Sequence, residues 1–382
     1  MARPTGTLSR TTKAKKSKPA PELVPDHAEE ELAEVIDNVV PTRGYHMLPM
    51  VGLGGSAGSI PALKEFFRTA PSDAGLAYVV ILHLSSEHES TLAELLQRFT
   101  RMPVQQVNST AKVEPNKVYV IPPGKQLAAA DGHLTLADLP SDRGKRVAVD
   151  LFFRTLADTH GPSAAAVVLS GADGDGAIGI KRIKERGGLT IAQDPQEAEH
   201  TGMPHSAIET GMVDWVLPVA AMPERLVKYY EIAQRIKLPP EEEVAVAKPP
   251  ASRQSAVAEY EATLREVLAY LRARTGRDFS GYKRATILRR IGRRMQVQGI
   301  DDLPEYLAFL RTNAGESGAL LQDLLISVTN FFRDRDAFDA LNLQLPALFR
   351  DKGPADTIRV WSAGCATGEE AYSIAIMLAE HA

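Results

Sequence analysis

Residues 54–58 read Gly-Gly-Ser-Ala-Gly, a G-x-S-x-G pentapeptide between an apolar run, Leu48 to Leu53, and an amphipathic stretch, Ile60 to Phe67. A serine hydroxyl is a poor nucleophile until the backbone presents it. A sharp strand-to-helix turn lifts the Oγ of Ser56 clear of a sheet, and the glycines let that turn close. The N–H groups of the helix start that follows can face a developing oxyanion. The same glycine-rich pattern also suits phosphate binding or a purely structural turn. A serine nucleophile needs a base and an orienting acid. His83 directly follows Val79-Val-Ile-Leu82, where the end of a second parallel strand would face the end of the first. Asp175 lies in Leu169-Ser-Gly-Ala-Asp-Gly-Asp-Gly-Ala177, close to a helix start whose N–H groups would keep a carboxylate ionised. Asp173 in the same loop reads as a turn former. Paired aspartates in a glycine-rich loop also suit calcium, but the ligand spacing of an EF-hand is absent and no metal site is expected.

The elements that must position these residues follow a regular rhythm. Strand-like runs at Met47–Leu53, Ala77–Leu82, Val118–Ile121, Ala164–Leu169, Leu189–Ala192 and Val213–Leu217 alternate with helical patterns at 60–69, 90–99, 149–158, 176–186 and 203–210. This predicts an α/β domain over 45–235 with a mostly parallel, doubly wound sheet and an active site outside the carboxyl ends of its strands. Residues 1–44 read as a disordered charged tail, basic and then acidic. Residues 236–256, with their Pro-Pro pairs and Glu241-Glu-Glu243, read as a linker. Residues 257–350 carry 3.6-period apolar spacing at 257–274, 282–298, 303–312 and 317–327, an all-α domain. At Thr357–Ser362 a new strand is expected, entering Gly364-Cys-Ala-Thr-Gly-Glu-Glu370 and a helix. One βα unit makes no sheet, so 351–382 reads as the truncated start of a further, Rossmann-like domain.

Composition narrows the class. The 382 residues are 44% hydrophobic and 24% charged with net charge −4, a globular balance that calls for neither nucleic acid nor a membrane surface. The only cysteine is Cys365, so no disulfide joins two positions of this chain, as suits a reducing cytoplasm. No apolar run reaches the length of a membrane span, and the basic, polar start lacks a signal-peptide core. Two segments in the second half could also do chemistry. The glycine turn at 364–368 followed by Glu369 and Glu370 suits a ligand with hydroxyls or a cationic end, and so S-adenosylmethionine over ATP. The helix around Lys283-Arg284, Arg289-Arg290 and Arg293-Arg294 reads either as a solvated face or as a docking surface for an acidic helical partner or nucleic acid, the latter disfavoured by the lack of interleaved aromatics; Arg290, Arg293 and Arg294 share one side.

With these blocks in order, residues 48–220 resemble the catalytic domain of chemotaxis protein-glutamate methylesterases of the CheB type. The matching segments are Val51-Gly-Leu-Gly-Gly-Ser-Ala-Gly58, Ile81-Leu-His-Leu84, Val118-Tyr-Val-Ile-Pro-Pro-Gly124, Val149-Asp-Leu-Phe-Phe153, the 169–177 loop, Gly202-Met-Pro204 and Gly211-Met-Val-Asp214. The resemblance implies a Ser56–His83–Asp175 triad that hydrolyses glutamate γ-methyl esters and deamidates glutamines on methyl-accepting chemotaxis receptors. It also implies a backbone oxyanion donor at Ala172, where the family commonly has methionine; Asp173 stands where it commonly has glycine. The esterase needs no cofactor in this reading. Residues 260–382 resemble the beginning of CheR-type receptor methyltransferases, through Tyr282–Met295, Val328-Thr-Asn-Phe-Phe-Arg-Asp334 and Trp361–Glu370. That implies S-adenosylmethionine contacts from Thr329, Arg333 and Glu369, and a receptor-docking role for Arg290, Arg293 and Arg294. The whole looks like a CheB–CheR fusion. A non-catalytic scaffold binding receptors or a sensor histidine kinase is the rival reading, and methanol release separates the two.

Overall fold

The computed structural model describes residues 47–82, 91–130, 132–138, 147–239, 251–326, 331–332, 335–350, 352–353, 356–366 and 368–381. Residues 1–46, which include the 1–44 tail expected to be disordered, lie outside them. Seven strands form one sheet: β1 (Met50–Gly55), β2 (Ala77–Leu82), β3 (Val104–Gln106), β5 (Lys117–Val120), β8 (Ala164–Val168), β9 (Leu189–Gln193) and β10 (Trp215–Leu217). Their spatial order is β10-β9-β8-β1-β2-β5-β3, and every pair is parallel. The chain starts at β1, winds outward through β2, and later returns to place β8 on the other side of β1. The crevice beside β1 is therefore the topological switch point, where open α/β sheets bind ligands.

Apolar residues fill both faces of the central strands because helices cover both. Met50, Ala77, Val79, Ile81, Ala164, Ala166 and Val168 face one side, packed by α3 (Ala148–His160), α4 (Ala177–Glu185) and α5 (Gly202–Glu209). Val51, Leu53, Tyr78, Val80, Ala165 and Val167 face the other, against α1 (Ile60–Thr69), α2 (Leu92–Gln97) and α6 (Met222–Ala233). The strand and helix rhythm expected for this domain is present. A small antiparallel sheet, β4 (Ala111–Lys112), β7 (His133–Asp138) and β6 (Lys125–Ala130), was not anticipated, nor was α6. β6, Lys-Gln-Leu-Ala-Ala-Ala, lacks alternation, and the alternation of β7 covers only His133-Leu-Thr-Leu136, so the hairpin's period-2 signal is short.

The second half is helical: α7 (Ala251–Thr275), α8 (Arg284–Gln298), α9 (Leu303–Thr312) and α10 (Ala314–Leu325) enclose Val267, Leu271, Ile291, Met295, Tyr306, Leu310 and Leu320. Two expectations need correction here. The segment read as a linker through 256 overlaps α7, which already runs from Ala251; residues 240–250 lie outside the described ones. At its other end Ile236 and Leu238 pack on the helical core, and Lys237 bridges to Asp302. The strand expected at Thr357–Ser362 is not formed, the described part of 356–362 being irregular. Among the described residues no neighbouring strand offers it a ladder, and an unpaired strand has no hydrogen bonds to hold it. Two helices, α11 (Arg335–Phe349) and α12 (Glu369–His381), lie on either side of it in the chain.

Glycine decides how closely α3 approaches the sheet. A Cβ on Gly54 would sit 2.2 Å from Val149 Cγ1, and one on Gly52 would sit 2.8 Å from Phe153 Cε1. Bare backbone at these two positions lets the start of α3 press directly onto β1. Gly54→Ala should push α3 outward and cost about 1–3 kcal/mol, the range for overpacking a dense core. Urea unfolding of the variant checks this; an unchanged midpoint would show that α3 is free to shift without penalty.

Candidate active site at the switch point

Ser56 is the first residue after β1, half-buried, and opens a 3-10 turn, Ala57–Ser59. Its N–H donates to the carbonyl of Ser170 at 3.1 Å, continuing the β1–β8 pairing by one step beyond the strands. Its own carbonyl accepts from the N–H of Ser59 at 2.9 Å and from the Ser59 hydroxyl at 2.6 Å. The turn is thus tied at both backbone polar groups of Ser56. Gly55 makes this possible, since a Cβ there would come within 2.5 Å of Ser59 Oγ.

Asp175 arrives from β8 through the loop that follows Ser170, and it is buried at 4% exposure. Its carboxylate receives the first-turn N–H groups of α3: Val149 N–H reaches Oδ2 and Asp150 N–H reaches Oδ1, each at 2.9 Å. The Gly176 N–H adds a third donor to Oδ1 at 2.9 Å. The first N–H groups of a helix have no partner within the helix, and an anion at the positive end of the dipole is favoured. The expected helix-start setting of Asp175 is therefore present, but most of its donors belong to α3, a helix earlier in the chain, and not to α4 that follows it. The Asp175 N–H in turn donates to Asp173 Oδ1 at 3.2 Å, the turn-forming bond expected of that residue.

The structure brings Ser56 and the 170–175 loop to one end of the sheet. His83 lies outside the described residues; Leu82 before it is paired in register with Gly55, which precedes Ser56. Ala172 is exposed in the loop, and its carbonyl lies so close to Gly202 that a Cβ there would sit at 2.5 Å. Two residues beside the site had no role assigned from the sequence. Ser170 holds the neighbouring loop, its hydroxyl accepting from His200 N–H at 2.9 Å and donating to the His200 carbonyl at 3.2 Å. His200 itself lies over Gly58, its Cδ2 only 2.6 Å from where a Cβ would stand. Neither has a local spacing signal, because the contact spans thirty residues.

The arginine-rich helix is a correction. Arg290, Arg293 and Arg294 are at most 7% exposed, and they face the α/β domain and the helical core. Arg293 pairs with Asp214 at the start of β10 and, at 2.7 Å, with Asp323 of α10; it also donates to the Gly188 carbonyl at 2.7 Å. Lys184 of α4 joins the same two aspartates. Arg294 makes a forked pair with Glu316 at 2.9 and 2.7 Å, and Arg290 donates to the Glu185 carbonyl at 3.2 Å. Burial alone would raise the carboxyl of Asp214, but Arg293 and Lys184 outweigh it and hold it well below the usual carboxylate range. Arg290, buried and beside Arg293, is lowered to about 10. A face consumed by internal ion pairs is not offered to an outside receptor, and the residues of this helix left exposed are others, such as Arg289.

Of the positions expected to contact S-adenosylmethionine, Glu369 alone is among the described residues. Thr329 and Arg333 lie outside those residues. Glu369 begins α12 with its backbone carbonyl accepting from the Ser373 hydroxyl at 2.7 Å. Around it Trp361 is 90% exposed and Tyr372 64% exposed.

A doubly wound parallel α/β domain with a serine turn and a helix-capped aspartate at its switch point is thus followed by a helical domain locked onto it. The family model for CheB methylesterase matches residues 51–226. The models for the all-alpha domain and the SAM binding domain of CheR methyltransferase match 262–325 and 327–382. A Leptospira interrogans protein provisionally named protein-glutamate methylesterase/protein-glutamine glutaminase is 31% identical over 177 residues, 46% of this chain and 92% of its own length. An uncharacterized 104.1 kDa protein of Rhodobacter capsulatus is 36% identical over 301 residues, 75% of this chain and 31% of its own. The crystal structure of the Thermotoga maritima CheB methylesterase catalytic domain aligns with 48% of this chain and 98% of its own at 28% identity and a TM-score of 0.44. The chain belongs to the CheB methylesterase family, and its second half carries CheR methyltransferase segments. It spans 31% of the Rhodobacter relative's length and about half the length of several other relatives.

Replacing Arg293 by Met should destabilise the protein by about 3–5 kcal/mol, because Asp214 and Asp323 stay buried with one cation fewer. The exposed Arg289→Met serves as control and should stay within about 0.5 kcal/mol. Equal chemical-denaturation midpoints for the two variants would show that the ion network carries no stability.

Proposed function

We propose that residues 45–235 form a serine esterase that removes methyl groups from glutamate γ-methyl esters, and deamidates glutamines, on methyl-accepting chemotaxis receptors in the cytoplasm. The observation that carries this reading is the meeting of Ser56 and the Asp175 loop at the carboxyl end of two adjacent parallel strands, tied by the Ser56 N–H to Ser170 carbonyl bond. The names of the relatives supply the reaction. Among the described residues no helix is long and apolar enough to cross a membrane.

In this mechanism His83 takes the proton of Ser56 Oγ as the oxygen attacks the ester carbonyl. The imidazolium then returns that proton to the departing methanol, and a water activated by the same imidazole releases the glutamate. Asp175 fixes the ring and stabilises its cation. Its own carboxylate is held by three N–H groups, so it does not rotate away. The backbone N–H at Ala172 is the oxyanion donor in this reading. Serine, histidine and aspartate supply nucleophile, base and orienting acid without a cofactor. Residues 257–350 and 351–382 belong to a methyltransferase portion of the CheR type, whose S-adenosylmethionine site would draw on Thr329, Arg333 and Glu369.

Ser56→Ala should lower methanol release from a peptide carrying glutamate γ-methyl ester by on the order of 10³-fold or more, with the fold intact by circular dichroism. A folded variant with near-normal turnover would remove Ser56 from the mechanism and leave a scaffold role.

A further inference from the structure

Asp150 is a buried acid that the mechanism above does not use. It is 7% exposed and stands third in α3, within the first turn that caps Asp175. While its N–H donates to Asp175 Oδ1 at 2.9 Å, its own Oδ1 accepts the N–H of Gly179 at 2.7 Å. Gly179 is third in α4, the helix that begins two residues after Asp175. The capping is therefore reciprocal. The aspartate before α4 satisfies the start of α3, and an aspartate at the start of α3 satisfies α4. Gly179 lets the helices meet, since a Cβ there would come within 2.5 Å of Phe153 Cβ.

A cap of an ordinary helix sits in water and costs nothing to ionise. Here two carboxyl groups share one buried corner. Asp175 is the charged group that faces Asp150 from the loop; α4 presents the N–H groups of Gly176 and Gly179. On the two helices the nearest basic residues along the chain are Arg154 and Lys181, both exposed, and then Arg182, which pairs with Asp158. Burial, and then the charge of Asp175, push the Asp150 carboxyl up to about 6.

We propose that Asp150 is a positioning residue for the esterase: by bridging the first turns of α3 and α4 it fixes the Asp175 carboxylate, and its charge sets how strongly that carboxylate favours a cation beside it. This rests on the reading of Asp175 as the acid of a serine triad. When ionised, Asp150 adds negative charge behind Asp175 and raises the basicity of the catalytic imidazole. When protonated, its O–H can donate to Asp175, which then accepts one more bond and supports the imidazolium less. The two states interchange in the window where such an imidazole itself gains its proton, so the two ionisations are linked.

The pH profile of kcat/KM decides this, with methanol release from a glutamate γ-methyl-ester peptide as the readout on the full chain. Asp150→Asn keeps an oxygen for the Gly179 N–H but removes the charge. Its acid limb should move to lower pH by on the order of half a unit to one unit, because a base that loses a neighbouring negative charge protonates less readily. Asp150→Ala leaves the Gly179 N–H without its acceptor and lets the corner loosen. Its kcat should fall by about 10- to 100-fold with KM within about twofold, the pattern of a misplaced catalytic group, and Asp150→Asn should recover most of that loss. Should Asp150→Ala not fold, the profile of Asp150→Asn decides alone. An acid limb in Asp150→Asn that coincides with the wild type overturns the proposal. Ser56→Ala and Asp175→Asn run beside it: if either keeps near-normal turnover the triad reading fails first, and if both abolish turnover while Asp150→Asn leaves the limb unmoved, the triad stands and Asp150 is only a helix cap.

Discussion

The direct contact of α3 with β1, permitted by Gly52 and Gly54, is the constraint on which the rest of the α/β domain depends. Side chains on β1 at these positions would hold the helix off the sheet. Without them the first turn of α3 reaches the end of β1, and its unpaired N–H groups point into the loop leaving β8. Those donors find Asp175. A helix start that would otherwise need water is satisfied by the same carboxylate that the proposed mechanism needs fixed. Structural and chemical requirements are met by one set of bonds, which explains why a buried acid is tolerated there. The strand order adds the second half of the arrangement. With β8 beside β1, the Ser56 turn and the Asp175 loop leave the sheet at the same edge, whatever the distance between them in sequence.

The helical domain is attached by a different kind of bond. Asp214 and Asp323 are fully enclosed, and the cations that neutralise them come from α4 and α8. Charges buried this way gain little net stability over apolar packing, but they tolerate no unpaired alternative. They therefore specify how the helical domain meets the sheet more than they strengthen the meeting. Hydrogen bonds across the same junction, from Gln296 to the Tyr229 carbonyl at 3.1 Å and from Gln322 to the Gly211 carbonyl at 2.8 Å, add direction, and Val297 of α8 joins the core under the sheet. In this arrangement a helix that the resemblance associates with receptor docking is spent on holding two domains together.

The segment from 356 to 381 contrasts with both. α12 buries Ser373 and Met377, while Val360, Trp361, Tyr372 and Ile376 stay exposed. A glycine turn and a helix are present, yet the apolar groups beside them face water and not a sheet. Local sequence is enough to form the helix and not enough to form the strand that should precede it, since a strand draws its hydrogen bonds from a neighbour.

Much of this was legible in the residues alone. Parallel α/β architecture followed from alternating apolar runs and amphipathic stretches, because strands buried on both faces and helices packed on one have different periods that survive in any sequence. Ser56 and Asp175 stood out because glycine-rich exits from buried strands are local features. The tertiary structure decided what depends on meetings between distant segments. It chose α3 as the donor to Asp175, linked Ser170 to the His200 loop, and made Asp150 the reciprocal cap. It also turned Arg290, Arg293 and Arg294 inward, where a sequence shows only a run of charge. A charged side of a helix looks the same whether water or buried carboxylates face it, and only the packing of α8 against Asp214, Asp323 and Glu316 distinguishes the two.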